Sequence, residues 1–213
     1  MSESKVLKLK PYENKDFINI NIDFVTIYKN SYLNVASTID ALYRTVLNPF
    51  NIILFDNNSD NTSFAEDFSK FNNISFIRTN KNVTLGECFN NALKRTENSW
   101  IVFISNNILP ISVNWSTNLL SSIQQYKSRG VKLISPLIKN NKFFEKFDKD
   151  SILVEGEFLP LHCFICHRDL FSLIGLMNPK LETIEDISED FYARMKARNL
   201  KQGVCYKSWV KQI

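Results

Sequence analysis

The stretch Trp100 to Pro110, W-I-V-F-I-S-N-N-I-L-P, decides how the rest of the chain is read. Ile101 to Ile104 is an uninterrupted apolar, β-branched run, which suits a strand covered on both faces of an α/β sheet, although such a run is also compatible with a buried piece of helix. It passes directly into a polar corner, Ser105-Asn106-Asn107, and Pro110 closes the segment. The corner therefore lies at a strand's carboxyl end. In open α/β sheets ligands bind along that edge, because a rigid scaffold holds loops whose polar groups stay free.

Working outward, the same pattern repeats. Asp23 to Tyr28 reads as a first strand, followed by the polar step Lys29-Asn30-Ser31 and a helix from about Leu33 to Thr45. In that helix Val35, Ile39, Leu42 and Val46 recur at three- and four-residue spacing and make one buried face. Asn51 to Phe55 reads as a second strand and also ends in a polar corner, from Asp56 to Thr62. Helix signals from Ser63 to Phe71 precede a short strand, Ile74 to Arg78. A loop from Thr79 to Thr84 and a helix from about Leu85 to Arg95 lead to the Trp100 strand.

Beyond the corner, Asn114 to Ser128 reads as a helix stopped at Arg129-Gly130. Val131 to Ile138 reads as a strand that Pro136 sends to a sheet edge or ends early. Lys139 to Glu157 reads as a charged insertion. Then come a strand-like Leu161 to Cys166, a short helix to Ile174, an acidic segment from Glu182 to Asp190, and a helix from about Asp190 to Asn199. Strand and helix alternate, so the expected fold is a single α/β domain of Rossmann type over residues 1–213, its central sheet mostly parallel with helices on both faces. Residues 1–20 read as a polar lead-in.

Composition narrows the function. With 213 residues, 44% hydrophobic and 23% charged, the chain is sized and balanced for one globular domain with a full core. Its 17 Phe against 5 Gly predict an aromatic-rich interior. The formal charge of +4 comes from dispersed lysines, without the clustered patch that nucleic acid binding requires. No apolar run reaches the ~18 residues of a membrane-spanning helix, and the opening M-S-E-S-K-V-L-K-L-K lacks the apolar core of a secretory signal. The expected location is cytoplasmic, where Cys88, Cys163, Cys166 and Cys205 would be reduced. Cys163-Phe-Ile-Cys166-His167 matches a haem-attachment string, but its apolar interior favours buried thiols in a strand.

Taken in order, V-T-I-Y-K-N-S from Val25, I-I-L-F-D-N-N-S-D-N-T from Ile52, R-T-N-K-N-V-T-L-G-E-C-F-N-N-A from Arg78, W-I-V-F-I-S-N-N-I-L-P from Trp100, C-F-I-C-H-R-D-L-F-S-L-I-G-L-M-N-P-K-L from Cys163 and E-D-F-Y-A-R-M-K-A-R from Glu189 resemble family 2 glycosyltransferases of the GT-A fold. The resemblance spans about residues 23–205. It implies an enzyme that moves a sugar, with inversion, from a nucleotide-sugar donor, most often a UDP-sugar, to the hydroxyl of a glycan or other acceptor. A homodimer is left open.

The same resemblance implies that Thr26 and Tyr28 border the nucleobase, that Asp56 accepts a hydrogen bond from it, and that Asn58, Arg78 and Asn82 lie beside the nucleotide. Gly86 would let the following helix approach closely. Read from its neighbours alone, Asp56 is equally a turn residue. Ser105, Asn106 and Asn107 stand where the family carries D-x-D, whose last acid holds Mn²⁺ or Mg²⁺ against the diphosphate. Here Asn107 takes that metal position, and both replacements remove charge, so metal dependence is open. The family's catalytic base is an acid in an E-D string. Glu189-Asp190 matches it first, with Asp190 as base, and Glu185-Asp186 second; on electrostatics alone either pair also suits a helix N-terminus. His162 and His167 are further candidates for the acceptor side. Two other readings stand beside this one: a catalytically silent sugar-nucleotide binder, and a nucleotidyltransferase, which the absence of a Gly-rich loop after the first strand disfavours.

Overall fold

The structure, a computed structural model, describes residues 14–61, 63, 67–68, 70–146, 152–154 and 158–213. Among the described residues nine strands form one sheet, in the order β3-β2-β1-β4-β8-β6-β9-β5, with β7 also paired to β9. Strand β1 is Ile22–Tyr28, β2 Phe50–Asp56, β3 Ile74–Arg78, β4 Trp100–Ile104, β5 Ile108–Pro110, β6 Val131–Lys139, β7 Ile152–Val154, β8 Cys163–His167 and β9 Lys201–Gln212. Strands β1, β2, β3 and β4 run parallel, and β6 and β9 share their direction because β8 is antiparallel to both β4 and β6. The helices are α1 (Tyr32–Thr45), α2 (Leu85–Leu93), α3 (Trp115–Tyr126), α4 (Asp169–Ile174) and α5 (Ile184–Ala197). The mostly parallel α/β sheet expected from the alternation is present.

The sheet holds because β1, β2 and β4 are apolar on both faces. Phe24, Ile52, Leu54, Ile101 and Val102 are fully buried, as a parallel strand covered by helices on each side requires. Aromatic rings fill the space under the site. Phe103 stacks on Phe164 at 5.0 Å and meets Phe89 at 4.7 Å, and Phe171 packs against Phe191. At the amino-terminal edge Asp23 is buried but fully bonded, accepting from the Glu97 and Asn98 amides and from the Asn51 and Asn98 side chains. This ties the α2–β4 turn to β1, away from the ligand edge.

Three expectations change. Pro136 does not send β6 to an edge: the strand lies between β8 and β9 and continues to Lys139. A register shift between Pro136 and Leu137 absorbs the missing N–H donor. Helix α5 starts at Ile184, not near Asp190, because Thr183 caps it by accepting the Asp186 amide at 3.1 Å. The acidic segment is thus helical. Finally, β5, β7 and β9 extend the sheet beyond the strands read from the sequence. The helix expected from Ser63 to Phe71 and the insertion from Lys139 to Glu157 lie partly outside the described residues, as does most of the lead-in.

Candidate active site

Because β1 to β4 are parallel, their carboxyl ends Tyr28, Asp56, Arg78 and Ile104 share one edge of the sheet. The antiparallel β8 begins at this edge, since Cys163 pairs with Ile104, and ends at the other, where His167 pairs with Trp100. His162 is therefore brought to the site and His167 is carried away from it, its ring against Trp100.

A cavity of about 560 Å³ opens at this edge, walled by Tyr28, Lys29, Ser31, Asn57, Lys81 to Leu85, Glu87, Asn106 and Glu182. A second of about 240 Å³ adjoins it and is more apolar, with Val25, Phe89, Phe103, Ser105, Asn107, Leu161, His162 and Ile184 in its wall. Ile27, Leu85 and Asn106 belong to both walls. Together they give a polar chamber with a narrower apolar annex.

The loop after β3 is held in shape by Asn57. Its Nδ2 donates to the Val83 carbonyl at 2.8 Å and its Oδ1 accepts the Val83 amide at 2.9 Å, which reproduces a strand-like pairing with one side chain. The loop then enters α2 at Thr84, whose hydroxyl accepts the Glu87 amide and donates to the Pro179 carbonyl at 2.5 Å. Gly86 follows. A Cβ there would collide with the Asn178 carbonyl, and its amide donates to Leu181 at 3.0 Å. This close approach docks residues 178–181 on α2 and brings Glu182 to the cavity.

The residues singled out in the sequence are distributed as follows. Tyr28, Asn82 and Asn106 are on the larger cavity wall; Ser105 and Asn107 are on the smaller one. Asp56 is buried directly behind the wall. Its Oδ1 accepts the Ser59 amide at 2.8 Å and its Oδ2 the Arg78 guanidinium at 3.1 Å, while Arg78 also donates to the Ser59 carbonyl at 2.6 Å. Asn58 turns the chain here with φ 60°. Burial, with the Asp56 carboxylate nearby, pushes the Tyr28 phenol far above its ordinary range, so it serves as a neutral donor. Thr26 alternates with Val25 and Ile27 of the smaller cavity's wall, so it faces the other side of the sheet, where its buried hydroxyl has no partner among the described residues.

The acids of α5 separate along the helix. Asp190 is bound to Arg194 at 2.6 Å, and Arg194 also donates to the carbonyls of Ile174, Gly175 and Leu176. Glu189 is exposed, and neither it nor Asp190 lines either cavity. Asp186 accepts the Thr183 hydroxyl at 2.6 Å in the cap. The carboxylate of this acidic segment that lines the larger cavity is Glu182, which shares that wall with Glu87 of α2. His162 lines the smaller cavity, where burial lowers its pKa and the nearby Glu185 offsets part of that effect, leaving a neutral imidazole at pH 7.

The corner offers a divalent cation a poor donor set. Ser105, Asn106 and Asn107 bring no carboxylate, and among the described residues no group of three His, Cys, Asp or Glu could hold a metal ion. Hard cations such as Mg²⁺ and Mn²⁺ favour charged oxygen ligands. The residues present do not fit the Mn²⁺ or Mg²⁺ that the sequence resemblance implies.

Parallel strands that deliver a nucleotide-sized polar cavity to their carboxyl edge, with an antiparallel β8 inserted beside β4, define the fold as that of the GT-A glycosyltransferases. Over residues 23–106 the chain matches the glycosyl transferase family 2 model. Solved structures of similar fold include GalNAc-T7 crystallised with UDP, GalNAc and Mn²⁺, at TM-score 0.70 and 15% identity, covering 92% of this chain and 44% of that one. The mannosyltransferase PcManGT from Pyrobaculum calidifontis, in complex with GDP-Man and Mn²⁺, aligns at TM-score 0.71 and 9% identity over 91% of this chain and 57% of that one. S. aureus TarS 1-349 in complex with UDP-GlcNAc aligns at TM-score 0.64 and 14% identity, covering 91% and 59%. This chain thus spans between 44% and 59% of the length of these three. No curated protein matches it in sequence.

Proposed function

We propose that the protein is an inverting glycosyltransferase that uses a nucleotide-sugar donor, a UDP-sugar first among the candidates. The observation that carries this reading is the polar cavity at the carboxyl ends of β1 and β2. Its volume of about 560 Å³ falls in the ~300–1,000 Å³ range of ligand pockets, and family and fold both favour sugar transfer.

In this reading the nucleoside lies against Tyr28, Asn57, Asn82 and Val83. Asp56 holds that wall in place through Arg78 and Ser59. The sugar sits near Asn106, where the two cavities meet, and the acceptor approaches past His162 and Glu182. Glu182 takes the acceptor hydroxyl's proton as that oxygen bonds to the anomeric carbon, while the bond from that carbon to the diphosphate oxygen breaks and its electron pair leaves with the diphosphate. Asp186 and Asp190, already bonded to Thr183 and Arg194, act in shaping α5.

The test is donor hydrolysis and nucleotide titration on the purified protein. Release of UDP from a UDP-sugar, with binding lost in Asp56→Ala, supports the reading. The neutral corner favours one rival, a sugar-nucleotide binder without catalysis, for which UDP binds but no donor is turned over under any condition.

A further inference from the structure

We infer that Lys29 and Lys81 hold the donor's diphosphate in this protein, in the role that a carboxylate-bound divalent cation would fill. The inference rests on the proposed donor site and concerns how its most highly charged group is neutralised.

Two observations lead to it. The first is the donor set at the corner. Each of Ser105, Asn106 and Asn107 contributes only neutral oxygen, and parts of their backbone are already engaged: the Ser105 amide with the His162 carbonyl, the Asn107 carbonyl with the Ile213 amide. Among the described residues no side chain at the corner carries the charge that would anchor a doubly charged ion between protein and diphosphate.

The second is the placement of the lysines. Lys29 leaves the end of β1 and Lys81 projects from the loop after β3, and both line the larger cavity. The Lys29 ammonium already reaches across to that loop, donating to Asn82 Oδ1 at 3.2 Å. An arriving phosphate oxygen can replace this neutral acceptor with a charged one, which forms a stronger hydrogen bond. Arg78, the other nearby cation, is committed to Asp56 and the Ser59 carbonyl. The cavity's acids, Glu87 and Glu182, lie on α2 and just before α5. Their charge repels the diphosphate from that wall and leaves the lysine side as its seat. As the anomeric bond breaks, the electron pair on the departing oxygen is met by two ammonium groups from the cavity wall, so the leaving group is stabilised electrostatically.

Calorimetric titration of UDP, GDP and uridine, each with Mn²⁺ and with chelator, tests this on the wild type and on Lys29→Ala, Lys81→Ala and the double variant. Circular dichroism confirms that each is folded. The expected result is nucleotide diphosphate binding of equal affinity in Mn²⁺ and chelator. Each single variant should weaken it roughly tenfold, the scale of one charge-assisted hydrogen bond, with uridine binding unchanged. Binding that requires Mn²⁺, or diphosphate affinity untouched in the double variant, overturns the inference while leaving the transferase reading intact. Failure of UDP, GDP and uridine all to bind the wild type overturns both.

Discussion

Arg194 holds Asp190 at 2.6 Å and, with the same guanidinium, caps three carbonyls at the end of α4, those of Ile174, Gly175 and Leu176. The pair is a structural clamp between α4 and α5, one turn and more away from the acids that reach the cavity. Arg194→Ala should therefore destabilise the fold by about 2 kcal/mol, since partly buried hydrogen bonds are each worth about 1 kcal/mol and the exposed component of the ion pair adds little. Thermal melts check this. An Asp190→Asn protein that keeps its melting temperature and loses all transfer would instead make Asp190 the base.

Glu182→Gln removes one of the two carboxylates on the larger cavity's wall, leaving Glu87, without changing the side chain's size. Turnover should fall by roughly 10²–10⁴, the usual contribution of a general base, while UDP affinity stays within about threefold of wild type. Steady-state kinetics beside calorimetry separate the two. A fall in affinity with unchanged turnover would remove Glu182 from the role.

Gly86→Ala places a methyl group against the Asn178 carbonyl. Backbone cannot rotate out of the way as a side chain can, so the cost should reach about 2–3 kcal/mol, at the upper end for overpacking. Displacement of residues 178–181 also moves Glu182. Both a lower denaturant midpoint and reduced turnover are expected, and a protein with neither change would show that α2 and this loop are not tightly docked.

Burial pushes the Cys88 thiol from its ordinary 9.0 up to about 12. The folded state therefore keeps a proton that the unfolded chain releases above pH 9. Stability from this group is complete below that point and is lost as pH rises from about 9 toward 12. Denaturant titrations at pH 8 and 10 should show a decline that is smaller in Cys88→Ala. An equal decline in both proteins would place the loss at other groups.

The strands that build the site were legible because β1, β2 and β4 are buried on both faces, and an apolar run ending in a polar corner is a local signal. Val35, Ile39 and Leu42 marked α1 for the same reason. By contrast β9 carries polar residues through a shifted register with β6, so its period is broken and its pairing depends on residues about 70 positions away. Only the assembled sheet could decide it.

The site divides along the same line. Sequence alone determined which segments meet the ligand edge, since strand direction and corner chemistry are encoded within a few residues: Tyr28, Asn82 and Ser105 to Asn107 reach the cavities. Tertiary structure decided which charges face them. Glu189-Asp190 and Thr183-Ile-Glu-Asp186 are equally acidic strings, and the Thr183 cap, by starting α5 at Ile184, sets the rotation of every acid on the helix. It turns Asp190 toward Arg194 and leaves Glu182 at the cavity. Likewise the antiparallel course of β8 brings His162 to the ligand edge and removes His167. Such outcomes depend on helix phase and strand direction, which are set by contacts between segments distant in sequence.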